Sequence, residues 1–248
     1  MVFGASCVAA RFTRLPLVLI VGAMATIWVC LGRAVSIYSA THTMHWPHSP
    51  PISGLAESAE GFVWFSTGFM LLSLLMGGAL CCRAAHISAA HSADNLATPC
   101  LNVVWITLAL IATLCFIIMG FNRDDGPTSS LHFACAGLGM GCICLSGILH
   151  ALLCLSIRVD RMMPAACLRA SLYVGQLLAL VTGGVCFGLW LVGDKSSAAL
   201  EWAGFICTMA AYGTYAIYFL YPPFPMSNFV THSREELLAA RGRGRWGV

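Results

Sequence analysis

The stretch CLNVVWITLALIATLCFIIMGF, running from Cys100 to Phe121, decides the fold. Its 22 residues include no acidic or basic side chain. At 1.5 Å per helical residue it reaches about 33 Å, enough to cross the roughly 30 Å of hydrocarbon in a bilayer. Lipid offers a backbone no hydrogen bonds, so a stretch of this kind must satisfy its own amides and carbonyls as a helix.

Working outward, the same pattern recurs at regular intervals. Apolar runs cover Leu15 to Tyr38, Gly61 to Cys82, Leu131 to Ile157, Leu168 to Val192 and Trp202 to Tyr221. The segments between them carry the charge and the turn residues. The expected fold class is therefore all-α, a polytopic transmembrane bundle of six helices. The chain divides into a tail at 1–14, a six-helix domain at 15–221 and a second tail at 222–248. Composition agrees, since 59% of the 248 residues are hydrophobic and only 9% are charged. Soluble domains carry about 25% charged residues. The first run is too long for a signal-peptide core and reads as a retained anchor.

Arginine sets the expected orientation. Arg11, Arg14, Arg83, Arg158, Arg161, Arg169, Arg234, Arg241, Arg243 and Arg245 fall on one side of the membrane. Arg123 and Lys195 fall on the other, with Arg33 near the end of the first run. The positive-inside rule puts the arginine-rich side, and with it both termini, in the cytosol. No basic run is interleaved with aromatics, so nucleic acid is not an expected partner. Membrane lipids are, together with membrane-protein or cytosolic adaptor partners.

The 13 cysteines avoid residues 39–60, 122–130 and 194–200, the segments expected outside, which argues against a disulfide framework. Most read as small core hydrophobes. Cys81, Cys82, Cys100 and Cys167 sit at the inner boundary, where reversible S-acylation is open to them.

Three stretches resemble the Frag/DRAM/Sfk family of six-span membrane proteins. Glu201-Trp202 opens the sixth run, and Tyr212-Gly213-Thr214 follows at the family spacing. Gly120-Phe121-Asn122, then His132 and Gly137, are similar to the family's outer hairpin between the third and fourth spans. Ile52-Ser53, then Glu60 and Phe65, are similar to its proline-isoleucine-serine loop. Where the family commonly has Gly-Asn-Phe, this chain has Gly120-Phe121-Asn122. The match is closest to the DRAM and tentonin-like branch. The resemblance implies a non-enzymatic modulator of autophagy, endolysosomal or phosphoinositide-linked membrane processes, located in endolysosomal or plasma membrane. It leaves open a channel or channel accessory, or a factor in lipid remodelling of GPI anchors.

Residue chemistry gives no enzymatic set: no paired carboxylates at membrane depth, no Ser/His or Cys/His pair and no metal motif. No cofactor is expected. His42, His45 and His48 read either as incidental loop residues or as a copper or zinc site. His132 and His150 are separated by about 27 Å along one helix, the spacing of two haems in a transmembrane cytochrome, a remote alternative. Arg33, Glu57, Glu60 and Glu201 share the outer side and are expected to form an ion-pair cluster. Gln176 is expected to bond between helices, and Asn102 to cap the third. In the second tail, Glu235-Glu236-Leu237-Leu238 resembles an acidic dileucine sorting signal, or is simply an amphipathic turn.

Overall fold

The computed structural model describes residues 3–42, 50–90, 97–122, 129–157, 166–193 and 198–220. They form six α-helices and one short 3₁₀ turn: α1 (Phe3–Thr41), η1 (Ser53–Ala56), α2 (Ala59–Ala90), α3 (Ala97–Phe121), α4 (Ser129–Ile157), α5 (Ala166–Val192) and α6 (Ala198–Leu220). All six helices contain segments long and apolar enough to cross a membrane, beginning with Arg14–Ala40 and ending with Ala198–Leu220. Among the described residues there are no strands.

The helices run alternately up and down, each packed on its neighbours in sequence, and α1 meets α6 to close a ring. The seam between α1 and α6 includes an edge-to-face contact of Trp28 and Phe205, with ring centroids 5.9 Å apart. The outward faces are apolar, with Val18, Val29, Val63, Val103, Leu114, Leu138 and Leu178 exposed. The inward faces carry the polar groups, including Arg83, Asn102, His132, His150, Gln176 and Glu201. That inversion of the soluble pattern is what lipid demands: apolar surface costs nothing there, whereas polar groups must find partners inside the bundle.

Apolar surface provides no drive for helices to associate in lipid, so close approach at small residues matters. A Cβ on Gly68 of α2 would lie 2.8 Å from the Cys30 Cβ of α1. On α5, a Cβ at Gly183 would meet Thr208 Oγ1 at 2.8 Å and the Gly204 carbonyl of α6 at 3.1 Å. Glycines at 137, 139, 141, 184 and 188 are natural candidates for helix contacts in the sequence, but only some serve as such. Gly139 packs on Cys115 and Phe116, Gly137 on Leu191 and Gly184 on Cys144, while Gly141 and Gly188 face open space.

Asn102 differs from its expected capping role. The helix begins at Ala97, five residues earlier, so Asn102 lies inside α3 and faces α2. Its amide donates to the Ala84 carbonyl at 2.9 Å and to Ser88 Oγ at 2.7 Å, and its oxygen accepts from the Trp105 indole at 2.6 Å. Gln176 does bond between helices, accepting from the Tyr218 hydroxyl at 3.0 Å. Among the four boundary cysteines, Cys81, Cys100 and Cys167 are exposed.

Candidate functional site

A ring of six helices leaves space on its axis, and the two ends of this bundle fill it differently. At the end that carries η1 the axis is partly open. A small, largely apolar cavity there is lined by α2, α3, α4, α5, α6 and η1. Five phenylalanines (Phe65, Phe69, Phe116, Phe187, Phe205) and three methionines (Met119, Met140, Met209) make its wall. Ser53, His132 and Glu201 are its polar members.

Glu201 lies in the first turn of α6, where a helix N-terminus favours negative charge. Its Oε2 accepts the Ile52 amide at 2.7 Å, and Oε1 accepts the Ser53 amide at 3.4 Å. Ile52 provides no side-chain cap of its own for η1, so a carboxylate from 148 residues away in sequence serves the free amides of this turn. Next to it, the Trp202 indole donates to the Pro50 carbonyl at 3.0 Å. Ser58 then caps α2, its Oγ accepting from the Gly61 amide at 3.0 Å. Gly61 is sterically required there, since an added Cβ would sit 2.3 Å from the Leu55 carbonyl oxygen. The segment from Pro50 to Gly61 is thereby held as a lid over the ring.

His132, in the first turns of α4 and 2% exposed, faces the same cavity. Its Nδ1 lies 2.6 Å from the Asn122 carbonyl oxygen. A carbonyl can only accept, so Nδ1 carries the proton and, in the neutral ring, Nε2 holds the lone pair. Asn122 is itself fixed at the end of α3, its side-chain amide donating to the Ile118 carbonyl at 2.6 Å. The His132 ring stacks near Phe65, at 6.2 Å between centroids. The Ser66 hydroxyl donates to the Gly120 carbonyl, joining α2 to α3 alongside.

Ile52, Ser53, Phe65, Asn122, His132, Glu201 and Trp202 therefore converge on one end of the ring, although they come from three distant stretches. Other motif residues do not join them. Phe121 is exposed, Gly137 packs against Leu191, Gly213 has open space beside it, and Thr214 bonds within its own helix to the Ala211 carbonyl. Tyr212 works at mid-bundle, donating to the Ile143 carbonyl at 2.8 Å. The expected ion-pair cluster is divided. Arg33 and Glu60 are 3.7 Å apart and both largely exposed, whereas Glu201 turns inward to η1. Glu57 is exposed. His42 stacks on Tyr38 at 4.3 Å. His45, His48, Glu235, Glu236, Leu237 and Leu238 lie outside the described residues.

At the opposite end the axis is filled by a group that sequence reasoning missed. Arg83 is 0% exposed, and its Nε donates to His150 Nε2 at 3.1 Å. Its Nη2 lies 3.5 Å from Cys154 Sγ, and its guanidinium carbon lies 4.9 Å from the centre of the Tyr218 ring. Tyr215 and Trp105 flank His150 at 4.7 and 5.1 Å. His150 Nε2, the nitrogen that would ligate a haem iron, is thus engaged by Arg83. One sequence signal was available: Tyr212, Tyr215 and Tyr218 recur every three residues and so mark one helix face.

No curated protein and no solved structure matches the chain. The family model described as Frag1/DRAM/Sfk1/Cwh43P N-terminal domain matches residues 11–220 and so takes in all six spans, the lid and the cavity beneath it. The chain belongs to that family and is an integral membrane protein.

Proposed function

We propose that the protein is a non-enzymatic regulator or adaptor of a membrane process of the autophagy, endolysosomal or phosphoinositide-linked kind, placed with the DRAM and tentonin-like branch of its family. The use made of Glu201 supports this reading. The carboxylate is buried and directed at backbone amides of the lid, so its role is to hold a segment in place. A catalytic carboxylate would instead need a reacting group within hydrogen-bond reach. A lid fixed to the ring through two neighbouring side chains, Glu201 and Trp202, suits a protein that presents or withholds a surface to a partner. The arginine distribution, read by the positive-inside rule, supports a lid on the side away from the cytosol.

The test is the steady-state location of internally tagged protein in fed and starved cells, together with autophagic flux after deletion. Endolysosomal signal that grows on starvation, with altered flux, is the expected result. Unchanged flux with a steady plasma-membrane signal would reject the autophagy reading and leave the phosphoinositide-linked adaptor.

A further inference from the structure

We infer that Cys100 and Cys167 are sites of S-acylation, each carrying a long-chain fatty acyl group as a thioester. The inference goes beyond the regulatory reading above and does not depend on it. It rests on the orientation that the positive-inside rule predicts, with the helix ends opposite the lid turned to the cytosol.

Depth is the first requirement. The acyl donor, a long-chain acyl-CoA, has a multiply charged carrier that stays in water, so a thiol can meet its thioester only near the membrane surface. A thiol far out in water would instead hold the chain away from hydrocarbon. Cys100 lies two residues inside the span that starts at Thr98, and Cys167 lies three residues before the span that starts at Ala170. Both are therefore within about 5 Å of the inner limit of their spans. The lid side has no counterpart. Cys115, Cys135 and Cys186 are the cysteines nearest the lid-side helix ends, and each lies six residues inside its helix, about 9 Å.

Direction separates these two from the other boundary thiols. Along a helix every Cα–Cβ bond tilts toward the N-terminus. Helices α3 and α5 begin at the end opposite the lid, so the tilt carries Cys100 and Cys167 toward the cytosolic surface. Helix α2 runs the other way, and the tilt carries Cys81 toward the middle of the bilayer. Asn102 bonds to Ala84 and Ser88, so Cys100, two residues further along, stands roughly 8 Å nearer the cytosol than Cys81. Cys82 is half-buried and packs on the core, and Cys154 is buried beside Arg83.

The attached chain also needs somewhere to lie. Cys100 and Cys167 are both exposed. From Cys100 the outward side of α3 continues through Val103, Val104 and Leu114, and from Cys167 that of α5 continues through Val174, Leu178 and Val181, all exposed. Those spacings keep each set on the same face as its cysteine. An acyl chain therefore has an apolar helix face along its length and lipid around it, where each methylene is favourably buried. In the reaction, the cysteine sulfur attacks the carbonyl carbon of the acyl-CoA and gives up its proton. A carbon–sulfur bond forms as the one to coenzyme A breaks, and coenzyme A leaves as its thiol with that proton. Nothing is oxidised or reduced.

The test is a mass-tag exchange on the full chain expressed in a eukaryotic host. Free thiols are blocked with N-ethylmaleimide under denaturing conditions, and thioesters are then cleaved with neutral hydroxylamine. The released thiols are tagged with a polyethylene-glycol maleimide, so each former thioester shifts the band by one step. Cys100→Ser and Cys167→Ser should each remove one hydroxylamine-dependent step, and the double variant should remove two. Cys81→Ser and Cys186→Ser should keep the pattern of the parent. If a serine variant fails to accumulate, mass spectrometry of the tagged peptides from the parent identifies the same cysteines directly. A parent without any hydroxylamine-dependent step would overturn the proposal, as would steps that survive the double variant unchanged. Loss of a step in Cys81→Ser but not in Cys100→Ser would overturn the assignment by depth and direction.

Discussion

Glu201 and Arg83 are both charged groups inside an apolar bundle, yet they are stabilised in different ways. Glu201 accepts two backbone amides, and replacing it with alanine leaves those amides buried without an acceptor. Each such group costs about 1–3 kcal/mol, so Glu201→Ala should lower stability by roughly 2–6 kcal/mol. Glu201→Gln keeps one acceptor oxygen and should cost less than half as much. Thermal unfolding in detergent, followed by size-exclusion chromatography, gives the ranking; equal loss for both variants would mean that the charge alone matters. Arg83 depends on His150 and the Tyr218 face. Removing either Arg83 or His150 takes a buried hydrogen-bond partner from the other, whereas removing both leaves neither of that pair stranded. Arg83→Met with His150→Phe should therefore be more stable than the sum of the single losses predicts, by about 1 kcal/mol or more. Additive losses would show that the two side chains do not support each other.

Among the elements, the lid is where local geometry is tightest. Gly61→Ala would place a methyl group 2.3 Å from the Leu55 carbonyl oxygen, so η1 must move and its amides leave Glu201. Faster amide exchange over Pro50–Gly61, with the remaining helices still protected, is the expected outcome. Gly213→Ala is the control, because nothing lies within 4 Å of the added carbon, and it should exchange like the parent. The same contrast holds between α5 and α6. Gly183→Leu should weaken their packing by at least 1–3 kcal/mol through overpacking, while Gly188→Leu, on an open face, should not. These distinctions were only partly legible in the sequence. Small residues recur on α4 and α5, but which of them face a neighbour depends on each helix's rotation about its own axis. In a helix that is apolar nearly all round, little contrast between faces fixes that rotation. Arg83 shows the consequence. Its place near the end of an apolar run reads as a boundary cation, and the turn of α2 that points it inward leaves no mark on hydropathy.

At the scale of the molecule, the six spans were legible because length and apolarity alone define a helix in lipid, and the lid residues were legible through their family resemblance. Closure of the ring was not, since the meeting of α1 with α6 joins segments at opposite ends of the chain. An even number of spans requires residues before α1 and after α6 to lie on the same side, and the positive-inside rule predicts that this side is the cytosol. Tags placed at residue 1 and at residue 248 should both react with a reagent confined to the cytosol, and a tag inserted within residues 43–49 should react only from the other side. The arginine-rich end should also control the outcome. Replacing Arg158, Arg161 and Arg169 together with neutral residues removes charge next to α4 and α5 and should yield a mixed topology. A uniform orientation after that change would assign control to the first helix, where Arg11 and Arg14 precede the span, and exchanging those two for glutamate would then be the change that inverts the bundle.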